Sequence, residues 1–105
     1  FIKPLWEVLY KHKADLVLNG HDHIYERFAP QNPESQPDTK GGITQITVGT
    51  GGRNLYIIKS ISKNSQIRNN QTFGVLKLAL HQSSYEYEFT PINGTFKDSG
   101  SLRCH

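Results

Sequence analysis

Asp15-Leu16-Val17-Leu18-Asn19-Gly20-His21-Asp22-His23 is the stretch on which the reading of this 105-residue chain turns. Asp15–Leu18 is a short apolar run that ends at Asn19-Gly20, which predicts a buried strand followed by a turn. Gly20 lets the backbone bend sharply and approach closely. His21 and His23 stand at i and i+2, so in an extended segment both imidazoles point the same way and reach one small volume. Neutral imidazole suits zinc and iron ions. A position just beyond the end of a strand is a common place for ligands in open α/β sheets. By itself, a His-x-His pair marks a surface turn more often than a metal site.

Outward from this stretch, the N-terminal flank carries Ile2, Leu5, Trp6, Leu9 and Tyr10 at helical spacing. Pro4 fits the first turn, where its missing N–H costs nothing. A helix over residues 2–12 is predicted. On the other flank, Ile24–Phe28 continues as a short piece, extended or helical. The Pro-, Gln- and Ser-rich stretch 30–42 reads as a surface loop. Ile43–Val48 is β-branched and runs into Gly49-Thr50-Gly51-Gly52, a strand with a glycine-rich exit. Residues 55–61 have no clean period and 62–70 are mostly polar, so that region reads as irregular.

Thr72–Leu80 places Leu76, Leu78 and Leu80 on one face and Phe73, Val75, Lys77 and Ala79 on the other, as expected of a strand covered on both sides. Tyr85, Tyr87 and Phe89 alternate with Glu86 and Glu88 in the next run. The short polar link 81–84 makes the two runs an antiparallel hairpin. Residues 97–101 read as a polar tail.

Composition narrows the function classes. Hydrophobic residues make up 35% of the chain, below the usual share for a globular domain. Five Phe, five Tyr and one Trp still favour folding over disorder. The expectation is a segment that leans on another segment. It begins with Phe1 and has no Met, so a piece of a longer chain is expected. The net charge is +3, but its lysines and arginines are scattered, without the basic stripe expected of a nucleic-acid binder. No run approaches the roughly 18 apolar residues of a membrane span. Neither nucleic acid nor a membrane is therefore an expected partner. The single cysteine, Cys104, makes no disulfide within the chain and is free to pair with one upstream of Phe1. Asn70-Gln71-Thr72 and Asn93-Gly94-Thr95 are glycosylation sequons, which lean towards a secreted or extracytoplasmic location.

The wider string from Asp15 to Arg27 resembles the last motif block of the calcineurin-like metallophosphoesterases. Within them, Tyr25-Glu26-Arg27 after the second histidine resembles the purple acid phosphatase branch. Leu9-Tyr10-Lys11-His12, Val48-Gly49-Thr50-Gly51-Gly52 and Thr72-Phe73-Gly74-Val75-Leu76-Lys77-Leu78 are similar to that branch as well. Tyr85–Phe89, Asp98-Ser99-Gly100-Ser101 and Cys104-His105 resemble the close of its bacterial-type members. The resemblance covers most of the chain, with 32–42 and 60–66 matching least.

The resemblance implies an α/β fold: the C-terminal part of a metallophosphoesterase αββα sandwich, mostly antiparallel strands with one N-terminal helix. Residues 1–105 would then be the C-terminal segment of a catalytic domain whose N-terminal part is absent. Such enzymes hydrolyse phosphate esters by attack of metal-bound hydroxide, and two ions clamp the phosphoryl oxygens. His21 would ligate the divalent ion and His23 the other, with iron, zinc or manganese as the metals. Asp22, between them, has no ligand role. The Asp-x-His, Gly-Asp and Asn-His blocks of the family do not occur here, nor does its colour-giving tyrosine, a role Tyr25 does not take. The segment alone is therefore expected to be inactive, with no catalytic residue of its own to assign and its substrate-binding residues unknown.

Plainer readings stand beside these. Tyr25, Glu26 and Arg27 more often pack and pair beneath such a motif than touch substrate. Gly49–Gly52 is a tight turn near the rim before it is a phosphate cradle, because it lacks the spacing and Lys of a P-loop. Asn54 and Tyr56 are candidate rim contacts. His12 is a surface residue at a helix end, and His81 and His105 have no evident partner. Two other classes compete with the phosphoesterase: a non-catalytic structural or binding segment, and a mononuclear metal binder using His21 and His23.

Overall fold

The computed structural model describes residues 2–105. Helix α1 spans Lys3–Lys11, with Pro4 in its first turn as predicted. Seven strands follow: β1 Leu16–Asn19, β2 Tyr25–Phe28, β3 Thr44–Val48, β4 Ser65–Asn69, β5 Gly74–Leu80, β6 Ser84–Pro91 and β7 Asp98–Arg103. They form two sheets, one ordered β1-β3-β2-β4 and the other β5-β6-β7. Among the described residues only β1 and β3 run parallel; the other strand pairings are antiparallel. The chain is thus α/β, one helix with mostly antiparallel strands.

Alternation along the strands builds the core. Tyr25 and Ile46 from the first sheet meet Tyr85, Tyr87 and Phe89 from the second. Leu16, Val48, Ile67, Leu76, Leu78, Phe96 and Leu102 pack around them. Tyr25, Phe89 and Phe96 form a tilted aromatic cluster with centroids 4.5–5.8 Å apart. Trp6, the buried residue of α1, donates its indole N–H to the Gln31 carbonyl at 3.5 Å. Trp6 and Gln45 line the same groove, which sets α1 on the face of the first sheet opposite the core.

Four expectations change. The stretch 62–70 holds a strand, β4, paired with β2. Its apolar residue is Ile67, so it carries no hydrophobic period to read. The presumed polar tail is β7, zipped to β6 from Phe89↔Asp98 to Ser84↔Arg103. Strand β5 is covered on one side: Leu76 and Leu78 pack inward, while Val75 and Lys77 on the other face are exposed. Strand β1 is half-buried to exposed instead of buried, because it has β3 on one side and an open edge on the other.

Candidate metal-binding turn

Strand β1 ends at Asn19, and the chain reverses through Gly20–Ile24 into β2. The reversal is tighter than the extended geometry expected of His21-Asp22-His23. The Asp22 N–H donates to the Gly20 carbonyl at 2.9 Å, and the Ile24 N–H to the Asp22 carbonyl at 2.8 Å. Each bond closes a three-residue turn, centred on His21 and then on His23. His21 has φ +73°, the sign that is strained in such turns and uncommon for a residue with a Cβ. Backbone strain of this kind collects at functional sites and persists where the surroundings enforce it.

The enforcing neighbour is the exit from β3. The Gly49 N–H donates to the Ile24 carbonyl at 2.9 Å, which lays Gly49 against the turn. A Cβ on Gly49 would stand 1.9 Å from the Asp22 carbonyl oxygen. That close approach explains the glycine at 49 and favours the tight-turn reading of 49–52 over a phosphate cradle. Thr50, fully buried, donates its hydroxyl to the Gly74 carbonyl at 2.9 Å and ties this exit to the second sheet. Gly49→Ala is expected to destabilise the protein by about 1–3 kcal/mol, the usual range for overpacking, as read by urea denaturation. An unchanged midpoint would show that the turn tolerates a shift.

The two histidines differ in their surroundings. His21 is exposed. His23 is half-buried, and its Nδ1 lies 2.8 Å from the Asn54 carbonyl oxygen. A carbonyl only accepts, so Nδ1 carries the proton and Nε2 of the neutral ring is left with a free lone pair. The Tyr56 ring packs on the imidazole at 4.4 Å, tilted by 37°. Asn54 and Tyr56, expected as rim contacts, therefore hold His23. Asp22 joins Ile24, Glu26 and Tyr56 in lining a cleft of about 290 Å³ that neither histidine lines.

Tyr25 and Arg27 pack and pair beneath the turn. Tyr25, fully buried, donates its hydroxyl to Asp98 Oδ2 at 2.6 Å. Arg27 binds the same carboxylate twice, Nε to Oδ2 at 2.8 Å and Nη2 to Oδ1 at 3.0 Å. Its guanidinium also lies 5.2 Å from the centre of the Tyr87 ring. Burial, with the carboxylate beside it, pushes the Tyr25 pKa far up and keeps the phenol protonated. Glu26 faces the other way and accepts from the Ser65 hydroxyl.

Two of the remaining histidines find partners that sequence alone did not reveal. His81 pairs with Glu86 at 2.6 Å. His105 donates from Nε2 to the Gly42 carbonyl and from its main-chain N–H to Asp15. His12 is an exposed residue at the end of α1, as expected. Cys104 is exposed and free.

Imidazole is a fitting donor for zinc or iron, and Nδ1 of His23 is taken up by the Asn54 carbonyl while Nε2 is free. Among the described residues, no three or more of His, Cys, Asp and Glu gather where an ion could sit. His21 and His23 alone do not make up such a group.

No family model matches the chain. Among curated proteins it is similar to probable inactive purple acid phosphatase 27 of Arabidopsis thaliana, 28% identical over 111 residues that cover 96% of this chain and 18% of that protein. It is also similar to probable inactive purple acid phosphatase 1 of the same plant, 27% identical over 97 residues, 84% of this chain and 15% of that protein. The chain spans less than a fifth of the length of these relatives. The likeness supports a purple acid phosphatase-like relationship.

Proposed function

We propose that the chain is part of the catalytic domain of a two-metal phosphoesterase of the calcineurin-like superfamily, with His21 and His23 each binding one ion. The observation that carries this reading is His23: its ring is held by Asn54 and Tyr56 with Nε2 left free, on a strained turn at the end of a strand. Iron, zinc or manganese would supply hydroxide near neutral pH and a clamp on the phosphoryl oxygens of a phosphate ester. The chain's own part is to set two imidazoles at the turn and to keep the Asp22 carboxylate in the adjoining cleft.

The remaining ligands are proposed to come from sequence outside these 105 residues. Supporting this, β1 has a free edge, and a groove of about 440 Å³ beside it is lined by Leu18, Val48, Val75, Leu76 and Leu78. Leu5 and Val8 of α1 are more than half exposed. Apolar surface of this extent marks a place where another segment packs.

The isolated chain is expected to hydrolyse a generic phosphomonoester at a negligible rate. Turnover on the order of 1–1,000 per second, typical of enzymes, would overturn the account of missing ligands. The names of both relatives include the word inactive, which favours a second reading: a structural or binding segment without catalysis. Metal analysis and a phosphatase assay on the full-length protein separate the two, since absence of stoichiometric metal together with no turnover supports the second.

A secreted or extracytoplasmic location is part of the same proposal. Of the two sequons, Asn93 is exposed in the β6–β7 loop, whereas Asn70 spends its amide on the Tyr56 carbonyl and Thr72 is buried. In a eukaryotic secreting host, mass spectrometry is expected to find a glycan on Asn93 and none on Asn70. A glycan on Asn70 alone would contradict this placement.

A further inference from the structure

We propose that Tyr56 and Asn70 are positioning residues that hold His23 with Nε2 presented to metal, an inference that rests on the two-metal reading above. The segment around Tyr56 needs such an anchor. Residues 54–59 form no regular element, and Tyr56 and Ile57 are 40% and 80% exposed, so little core packing fixes them. Hydrogen bonds fix them instead. The Tyr56 N–H donates to the His23 carbonyl at 2.9 Å. The Tyr56 carbonyl accepts from Asn70 Nδ2, also at 2.9 Å.

Asn70 is itself set by a rigid element. It follows β4, whose last residue, Asn69, pairs with Tyr25 in β2. Asn69 Oδ1 accepts from the N–H groups of Gln71 and Thr72 at 2.9 and 3.2 Å, which folds the chain around Asn70 into a fixed turn. The path therefore runs from the sheet through Asn70 to Tyr56, and from there to the main chain and ring of His23. The Asn54 carbonyl, two residues before Tyr56, accepts the Nδ1 proton and completes the clamp.

This arrangement does two things for a metal ligand. It selects the tautomer, because the Asn54 carbonyl accepts a hydrogen bond from only one nitrogen. It also fixes the ring plane before metal arrives, so less rotamer freedom is lost on binding. Groups that orient a ligating histidine in this way typically contribute about 10–100-fold in metal affinity or activity.

The test uses the full-length protein and zinc as the probe, with Tyr56→Ala, Tyr56→Phe and Asn70→Asp. Zinc affinity is measured by chelator competition, and the His23 tautomer in the metal-free protein by long-range ¹H–¹⁵N NMR. Wild type is expected to show protonated Nδ1. Tyr56→Ala keeps the main-chain bonds but removes the ring packed on the imidazole, frees its ring plane, and is expected to bind zinc about 10–100-fold more weakly. Tyr56→Phe, which keeps the ring and main chain, is expected to match wild type. Asn70→Asp cannot donate to the Tyr56 carbonyl and is expected to weaken binding in the same direction by a smaller factor. Protonated Nε2 in wild type, or unchanged zinc affinity in Tyr56→Ala with its fold intact by circular dichroism, overturns the clamp alone. Failure of the wild-type protein to bind zinc, iron or manganese overturns the two-metal reading, and the clamp's role with it.

Discussion

His21→Ala or His23→Ala in the full-length protein is expected to remove one ligand from a different metal ion in each case. The loss of bound metal and of phosphatase rate should exceed the roughly 10–100-fold typical of residues that only orient a ligand. Asp22→Ala should cost much less, since Asp22 lines the cleft with Ile24 and Glu26 instead of sharing a site with the histidines. The fold should survive all three changes, because His21 and Asp22 are exposed and His23 is half-buried on a turn outside the core. Metal content and rate are measured together, with circular dichroism as the folding control. Normal metal content in both histidine variants would refute the assignment. Equal losses at Asp22 and the histidines would refute the separation of their roles.

Asp98→Ala is expected to be the most destabilising single change away from the turn. The Asp98 side chain is 5% exposed and its partner Arg27 is 18% exposed. Removing the carboxylate strands a largely buried guanidinium and the Tyr25 hydroxyl together. Breaking a buried pair from one side typically costs about 3–5 kcal/mol. The pair also joins β2 of one sheet to β7 of the other, so its loss loosens the packing of the two sheets. Tyr25→Phe removes one hydrogen bond of three and should cost about 1 kcal/mol. Urea denaturation of the three proteins checks the order. An Asp98→Ala variant no less stable than Tyr25→Phe would show that water takes over the role of the carboxylate.

Asp98 also shows why part of the fold escaped the sequence. In β7 the inward positions are Asp98, Gly100 and Leu102, and a pattern with one apolar residue in three looks like a tail. Asp98 can face inward because Tyr25 and Arg27, more than 70 positions earlier, satisfy its carboxylate. Strand β4 was hidden for the same reason: Ser65 and Arg68 serve Glu26 and each other, and Ile67 alone reaches the core. Where apolar spacing is local, the elements were forecast, although β1 and β5 are less covered than expected. The stripe through Trp6 forecast α1, the Ile43–Val48 run forecast β3, and the alternation of Tyr85, Tyr87 and Phe89 forecast the β5–β6 hairpin.

At the turn the division is similar. The residue types were legible: two imidazoles after a strand, a glycine where the backbone bends, and a resemblance that singles out His21 and His23. Their geometry was not. The paired three-residue turns, the positive φ of His21 and the contact between Gly49 and Asp22 depend on β3 returning alongside the turn. The free nitrogen of His23 depends on Asn54 and Tyr56, 31 and 33 positions away in a stretch with no pattern of its own. By itself the sequence determined the elements whose apolar spacing is local, and the identity of the candidate ligands. Only the tertiary structure decided where polar strands pair and which atom of His23 is free, because hydrogen bonds between distant segments leave no period along the chain.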